Sequence, residues 1–119
     1  MIFIYPYRRK ENDFCVNQSV RLVRKYYPEA KVYTVGDEVE GIKNIPCKDK
    51  FKNRGSNVTF KVLYASQFFD EFIYMNDDFF INDRYDFNKV YGSEEPLERK
   101  EGKASIAWNQ AVDNSRHWL

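Results

Sequence analysis

The feature that most constrains the fold of this chain is residues 72–81, an apolar and aromatic run that contains two adjacent carboxylates, Asp77 and Asp78. A short run of β-branched and aromatic residues predicts a buried strand. A carboxylate is costly to bury without a partner that neutralises its charge, so we expect the pair to lie where the strand ends. In α/β proteins, ligands bind at the carboxyl ends of strands. The run therefore predicts a cleft with two carboxylates beside a central strand.

The segments before this run alternate between the apolar patterns of strands and of helices. The predicted order is a strand at Ile2–Tyr7 whose ladder ends at Pro6, a helix over 16–27 capped by Asn12 or Asp13, a strand at 31–35, a short strand at 42–45, a helix over 58–69 capped by Ser56 or Asn57, and the central strand at 71–75. Strand-helix-strand order favours parallel pairing with right-handed crossovers. We therefore expect an α/β fold, a three-layer domain with a mostly parallel mixed sheet.

The remaining segments add smaller elements to this domain. Residues 85–91 predict a further strand, the polar and glycine-containing stretch 92–103 predicts a mobile loop, and 104–119 has the pattern of a helix. A chain of 119 residues fits one domain, so we expect residues 1–119 to form a single unit.

Composition narrows the functional classes. The net charge of +1 argues against a general electrostatic nucleic-acid binder, which is usually clearly basic. The sequence has no apolar run long enough to predict a membrane span, and it opens directly into a strand pattern. We therefore expect a cytoplasmic protein. Cys15 and Cys47 have neither metal-ligand spacing nor a disulfide framework, and we expect reduced thiols.

Two basic clusters could face an anionic ligand. Arg8, Arg9 and Lys10 follow the first strand, where cations either solvate a turn or meet a phosphate. A second cluster of lysines and Arg54 surrounds Phe51, and it is either a solvated loop or a flexible basic loop near the ligand.

Carboxylates at a strand end suit a hard cation such as Mg²⁺ or Mn²⁺. Such a metal can bridge the two phosphates of a nucleoside diphosphate and neutralise the charge on a departing diphosphate. Arg8, Arg54 and Lys61 are the candidates for binding the remaining phosphate oxygens.

Residues 56–80, a helix followed by an apolar strand, Asn76-Asp77-Asp78 and two phenylalanines, resemble the core of the Stealth family of sugar-phosphate transferases. More broadly they are similar to the GT-A class of glycosyltransferases, whose Asp-x-Asp-type motif binds a metal and a nucleotide diphosphate after an apolar strand. Residues 105–114 also resemble a downstream helix of the Stealth group.

The resemblance implies a GT-A-like fold, a nucleotide-diphosphate sugar as donor, and Mn²⁺ or Mg²⁺ as cofactor. It implies the following roles: metal and diphosphate binding by Asp78, Asp77 and Asn76; a cradle for the nucleotide base and phosphate at Tyr5, Pro6 and Arg8; and donor contacts by Arg54 and Lys61. The expected acceptor is open, with a glycan and a modified nucleic acid both compatible.

The chain departs from the Stealth pattern at both ends. The Val-Tyr-Thr-Trp-Val-Asp type of opening is replaced by Ile2–Tyr7, and the chain ends where those enzymes continue into an acceptor-binding half with a late histidine. The resemblance therefore implies a truncated version of the fold. Asp83, Asp113 and His117 are the candidates for a catalytic base, and a surface role for His117 is the plainer interpretation.

Three functional classes follow from these observations. The first is a metal-dependent glycosyltransferase or sugar-phosphate transferase. The second is a donor-binding module without transferase activity, acting alone or completed as a homo-oligomer. The third is a structural domain in which Asp77 and Asp78 merely close a strand.

Overall fold

A computed structural model describes residues 1–87 of the chain. The elements are, in chain order, β1 at Ile2–Tyr7, α1 at Phe14–Tyr26, β2 at Lys31–Gly36, β3 at Lys43–Ile45, α2 at Arg54–Ala65 and β4 at Ile73–Tyr74. Residues Met1–Tyr85 form one compact unit. The predicted loop at 92–103 and the predicted helix at 104–119 lie outside the described residues, as does most of the predicted strand at 85–91. The prediction of a single domain over 1–119 stays a prediction.

The four strands form one sheet in the order β3-β2-β1-β4, and every pair is parallel. β1 and β2 pair along their full lengths, from Ile2 beside Lys31 to Tyr7 beside Gly36. This arrangement confirms the predicted α/β class and the parallel pairing, and no antiparallel pair of the predicted mixed sheet occurs within residues 1–87.

The alternation of side chains along β1 divides the core between the two faces of the sheet. Phe3, Tyr5 and Tyr7 pack with the valines of α1 on one face. Ile4 packs with Ala65 of α2 on the other face, within a second buried cluster. The sheet therefore lies between α1 and α2, as a layered α/β fold requires.

The predicted bounds of β1, Ile2–Tyr7, are confirmed, but the prediction that its ladder ends at Pro6 is wrong, because Pro6 pairs with Val35 and Tyr7 with Gly36. The carbonyl of Ile4 accepts a hydrogen bond from the amide of Met75 on the β4 side, whereas the carbonyl of Tyr7 accepts one from Asp37 on the β2 side. Pro6 shares the orientation of Ile4, so its missing donor faces the side on which β4 has already ended. Proline costs no ladder hydrogen bond at such a position.

The predicted central strand at 71–75 is shorter and more peripheral than its composition suggests. β4 spans two residues, pairs only with Phe3 and Ile4, and is one of the two edge strands within residues 1–87. Tyr74, Phe79 and Phe80 are exposed, and the apolar run contributes mainly Met75 to the core. Aromatic content therefore did not indicate burial in this run.

The predicted caps of α2 are also wrong. The helix begins at Arg54, and the Asn53 side chain accepts a hydrogen bond from the amide of Ser56 at 3.1 Å. Asn57 lies in the first turn, buried, where its side chain serves a different purpose described below. None of the helices within residues 1–87 is both long enough and apolar enough to cross a membrane.

Candidate functional site

A pocket of about 560 Å³ lies at the carboxyl ends of β1 and β4. The strand order places a topological switch point between these two strands, because the chain leaves β1 toward β2 on one side and reaches β4 on the other. The carboxyl ends of strands at a switch point form the crevice in which open α/β sheets bind their ligands. The position of the pocket is therefore the one that the fold favours for a ligand.

Charged side chains dominate the lining of this pocket. They are the cations Arg8, Arg9, Lys10, Arg54 and Lys61 and the carboxylates Asp49, Asp77 and Asp78, and the remaining lining residues are Pro6, Tyr7, Asn57, Val58 and Asn76. With five cations and three carboxylates, the lining carries an excess of positive charge. Such a lining suits an anionic ligand that also presents a cation to the carboxylates.

Most of the predicted site residues meet here. Pro6 and Arg8 from the end of β1, Arg54 and Lys61 from α2, and the pair that follows β4 all line the same pocket. These residues are far apart in the sequence and are brought together by the parallel pairing of β1 with β4.

Tyr5 does not join them. Its side chain is fully buried in the core on the α1 face, and its hydroxyl lies 2.8 Å from that of Ser19. Burial raises the pKa of Tyr5 to about 12, so the ring is a neutral core group. The Tyr5 side chain therefore does not line the pocket, contrary to its predicted place in the nucleotide cradle. The candidate bases Asp113 and His117 lie outside the described residues, and Asp83 is exposed and absent from the pocket lining.

Lys61 is the most deeply buried charge of the site, with 4% of its surface exposed. Its ammonium lies 2.7 Å from Asp49 Oδ1 and donates to the carbonyl of Tyr7 at 3.2 Å. Gly36 leaves the space for this approach, because a Cβ there would stand 2.3 Å from the carbonyl oxygen of Tyr7 and 3.0 Å from Lys61 Nζ. A buried ammonium is stable only beside an anion or strong acceptors, and here it has both kinds of partner.

Asp49 connects two of the pocket cations. Its Oδ1 atom contacts Lys61, and its Oδ2 atom lies 3.8 Å from Arg8 Nε. Asn57 anchors the adjacent chain: its amide oxygen accepts from the backbone amides of Lys50 and Phe51, and its amide nitrogen donates to the carbonyl of Phe51. The buried Asn57 thus fixes the loop that carries Asp49 over the pocket.

Asp77 forms an ion pair with Lys10, whose ammonium lies 2.7 Å from Asp77 Oδ2. The hydrogen bond to Asp77 raises the pKa of Lys10. The side chain of Lys10 is 55% exposed, so water screens this pair and the lysine can leave at little cost. Arg9, in contrast, turns toward the β2 side, where its backbone amide donates to Asp37 and its guanidinium to the carbonyl of Glu38.

The carboxylate end of the pocket offers only oxygen ligands. Asp77, Asp78 and the side-chain amide of Asn76 follow β4, and Asn76 accepts a hydrogen bond from the hydroxyl of Tyr74. Burial, and then the charges of Asp78 and Asp77, raise the pKa of Tyr74. Hard divalent cations prefer such ligands.

The donor set fits a metal that arrives with its ligand. Within residues 1–87 there is no group of three or more His, Cys, Asp and Glu side chains that could hold a metal ion. Mg²⁺ is commonly bound by one or two carboxylates together with substrate phosphates, rather than by a complete protein cage. Asp77 and Asp78 match this smaller requirement, provided that Lys10 releases Asp77.

The lysines of the basic cluster around Phe51 do not line the pocket. They are exposed, and Lys50 lies over the ring of Phe60 at 4.6 Å. The interpretation as a solvated loop therefore holds for these lysines, whereas Arg54 reaches the site. Asp49 and Asn57 were not predicted as site residues, and the position of Asp49 as a single acidic residue between Lys48 and Lys50 was the only sequence signal for it.

Comparison of the chain with models of protein families, with curated proteins and with solved structures finds no match. The function is therefore inferred from the site itself.

Proposed function

We propose that the chain is a transferase that binds a nucleotide-diphosphate sugar together with Mn²⁺ or Mg²⁺ in this pocket. The observation that carries the proposal is the pocket at the switch point, where a buried lysine and several other cations face a pair of carboxylates. A diphosphate with a bound divalent cation carries negative charge that the pocket cations can bind and positive charge that the carboxylates can bind. The GT-A-like identity of the unit is part of this proposal, and the position of Asn76-Asp77-Asp78 after a parallel strand supports it.

The residues of the pocket divide into two groups by their charges. Lys61, Arg8 and Arg54 bind the phosphate oxygens, where charge-assisted hydrogen bonds are strongest. Asp77 and Asp78 hold the metal, and Lys10 moves from Asp77 to an exposed position or to a phosphate oxygen. Pro6 shapes the wall next to β1.

Transfer of the sugar, or of a sugar phosphate, leaves negative charge on the departing phosphate group. When bound, the metal supplies Lewis-acid stabilisation of that charge. Lys61 adds a fixed positive charge in a poorly solvated position, where electrostatic stabilisation of a leaving group is most effective.

A release assay tests this proposal. Incubation of the protein with a panel of UDP-sugars and Mn²⁺ is expected to release nucleotide, through slow hydrolysis if no acceptor is present, and excess EDTA is expected to stop it. Asp77→Ala should abolish release while Asp70→Asn, an exposed carboxylate outside the pocket, should not change it. Binding of a UDP-sugar with no release under any condition would instead identify a donor-binding module, and absence of both would contradict the proposal.

A further inference from the structure

The Asp49 carboxylate lies where a ligand phosphate would be expected. It sits between Lys61 and Arg8, with one oxygen directed to each cation. Both cations line the pocket and are the groups that a phosphate would seek. We infer that Asp49 is an internal substitute for phosphate, and that an incoming phosphate group takes its place on Lys61.

The burial of Lys61 gives a reason for such a substitute. Lys61 is 5% exposed at its side chain, and an ammonium in that position is costly without an anion beside it. Asp49 meets this need when no ligand is bound. A phosphate oxygen then replaces one anion by another, so that the buried charge is compensated before and after binding.

The surroundings of Asp49 allow the exchange. Its side chain is 27% exposed, so the released carboxylate can be solvated. The hydrogen bonds of Asn57 hold the backbone from Lys50 to Phe51, next to Asp49 but not at it. Asp49 can therefore turn away while the loop keeps its place.

Asp49 opposes the binding of a phosphate group to Lys61. A phosphate entering the pocket of the wild-type protein has to displace a carboxylate, or share Lys61 with it against like-charge repulsion. Removing the charge of Asp49 is therefore expected to strengthen the binding of phosphate groups and to lower the stability of the ligand-free protein.

The test is calorimetric titration with inorganic pyrophosphate on wild type, Asp49→Asn and the matched control Asp70→Asn. We expect Asp49→Asn to lower the Kd by about tenfold, equivalent to about 1.4 kcal/mol. Asp70→Asn makes the same change in net charge at an exposed site outside the pocket and is expected to leave the Kd within about twofold, in keeping with the weak effect of distant exposed charges. An unchanged or raised Kd for Asp49→Asn, or no binding to any of the three proteins, would overturn the inference.

A second measurement does not depend on the stability of the variant. In wild-type protein labelled with ¹³C at aspartate carboxyl groups, the signal of Asp49 is expected to shift on titration with pyrophosphate as the carboxylate leaves Lys61. A signal that stays in place while pyrophosphate binds would contradict the exchange.

The identity of the natural ligand rests on the proposed function, whereas pyrophosphate probes the exchange alone. Tighter pyrophosphate binding by Asp49→Asn, with no UDP-sugar bound by either protein, would support the exchange and remove the proposed function. Metal-dependent binding of a UDP-sugar by wild type, with weaker binding of both ligands by Asp49→Asn, would do the reverse.

Discussion

Lys61→Met is expected to lower the affinity for UDP by about a hundredfold, because it removes a buried charge from the phosphate end of the pocket. Lys61 is buried and its ammonium donates to the carbonyl of Tyr7, so little conformational entropy is lost when it binds a ligand. Methionine keeps most of the aliphatic volume, and Asp49, left without this partner, is exposed enough to be solvated. Titration calorimetry with UDP and Mn²⁺ measures the effect.

The matched control for this prediction is Lys52→Met. Lys52 belongs to the basic cluster around Phe51, is exposed and does not line the pocket. Its replacement makes the same change in net charge and should alter the Kd by less than about threefold, as expected for a screened surface charge. Equal losses in the two variants would mean that general electrostatic attraction, and not the buried lysine, binds the ligand.

Gly36→Ala is expected to destabilise the fold by roughly 3 kcal/mol, the largest effect on stability that we predict for a single methyl group. The φ angle of Gly36 is 122°, a conformation that residues with a Cβ rarely adopt. The added Cβ would also stand 2.3 Å from the carbonyl oxygen of Tyr7, which is backbone and cannot move without opening the end of β1. Chemical denaturation with urea measures the change in the free energy of unfolding.

Gly41→Ala separates the two causes of that loss. Gly41 also has a positive φ angle, of 81°, but a Cβ there meets nothing within 4 Å. Its replacement should therefore cost only the backbone strain, about 1 kcal/mol. A loss for Gly36→Ala no larger than that for Gly41→Ala would contradict the close approach of β1, β2 and Lys61 around Gly36.

The parts of the fold that follow from local pattern were predictable. The apolar run of β1, the helical spacing of the valines in α1 and the short strand before Pro46 are properties of neighbouring residues, and they led to a parallel α/β sheet. The convergence of Arg8 and the carboxylate pair also followed, because the carboxyl ends of parallel strands lie on one edge, and Lys61 joins them from α2.

The errors arose where several residues satisfy the same local rule. Asn53, Ser56 and Asn57 can all cap a helix, and the choice of Asn53 depends on how the loop before α2 is anchored by the buried Asn57. The run at 72–81 has the composition of a central strand, yet its pairing with β1 ends after Ile4. Pairing length is set by distant residues, so composition alone did not reveal it.

The site showed the same limit in two residues. Tyr5 and Tyr7 both lie at the end of β1 and point to the same face, but only Tyr7 borders the pocket, because the strand must reach its final residue before the cleft opens. Asp49 belongs to a loop rich in lysine, and its pairing with Lys61 and Arg8 spans long separations in sequence. Neither the place of Tyr7 at the pocket nor the pairing of Asp49 can be predicted from the spacing of residues in the sequence.

The central claim is that the pocket binds a nucleotide diphosphate through a divalent metal, and calorimetric titration with UDP in the presence and absence of Mn²⁺ tests it most directly. We expect wild type to bind UDP with Mn²⁺ and to lose most of that affinity without it. In Asp78→Ala, Mn²⁺ should no longer strengthen the binding of UDP. The variant should remain folded, since removal of one of two neighbouring carboxylates relieves repulsion. Wild-type binding that ignores Mn²⁺, or no binding of UDP at all, would contradict the account and leave Asp77 and Asp78 as an ordinary strand end.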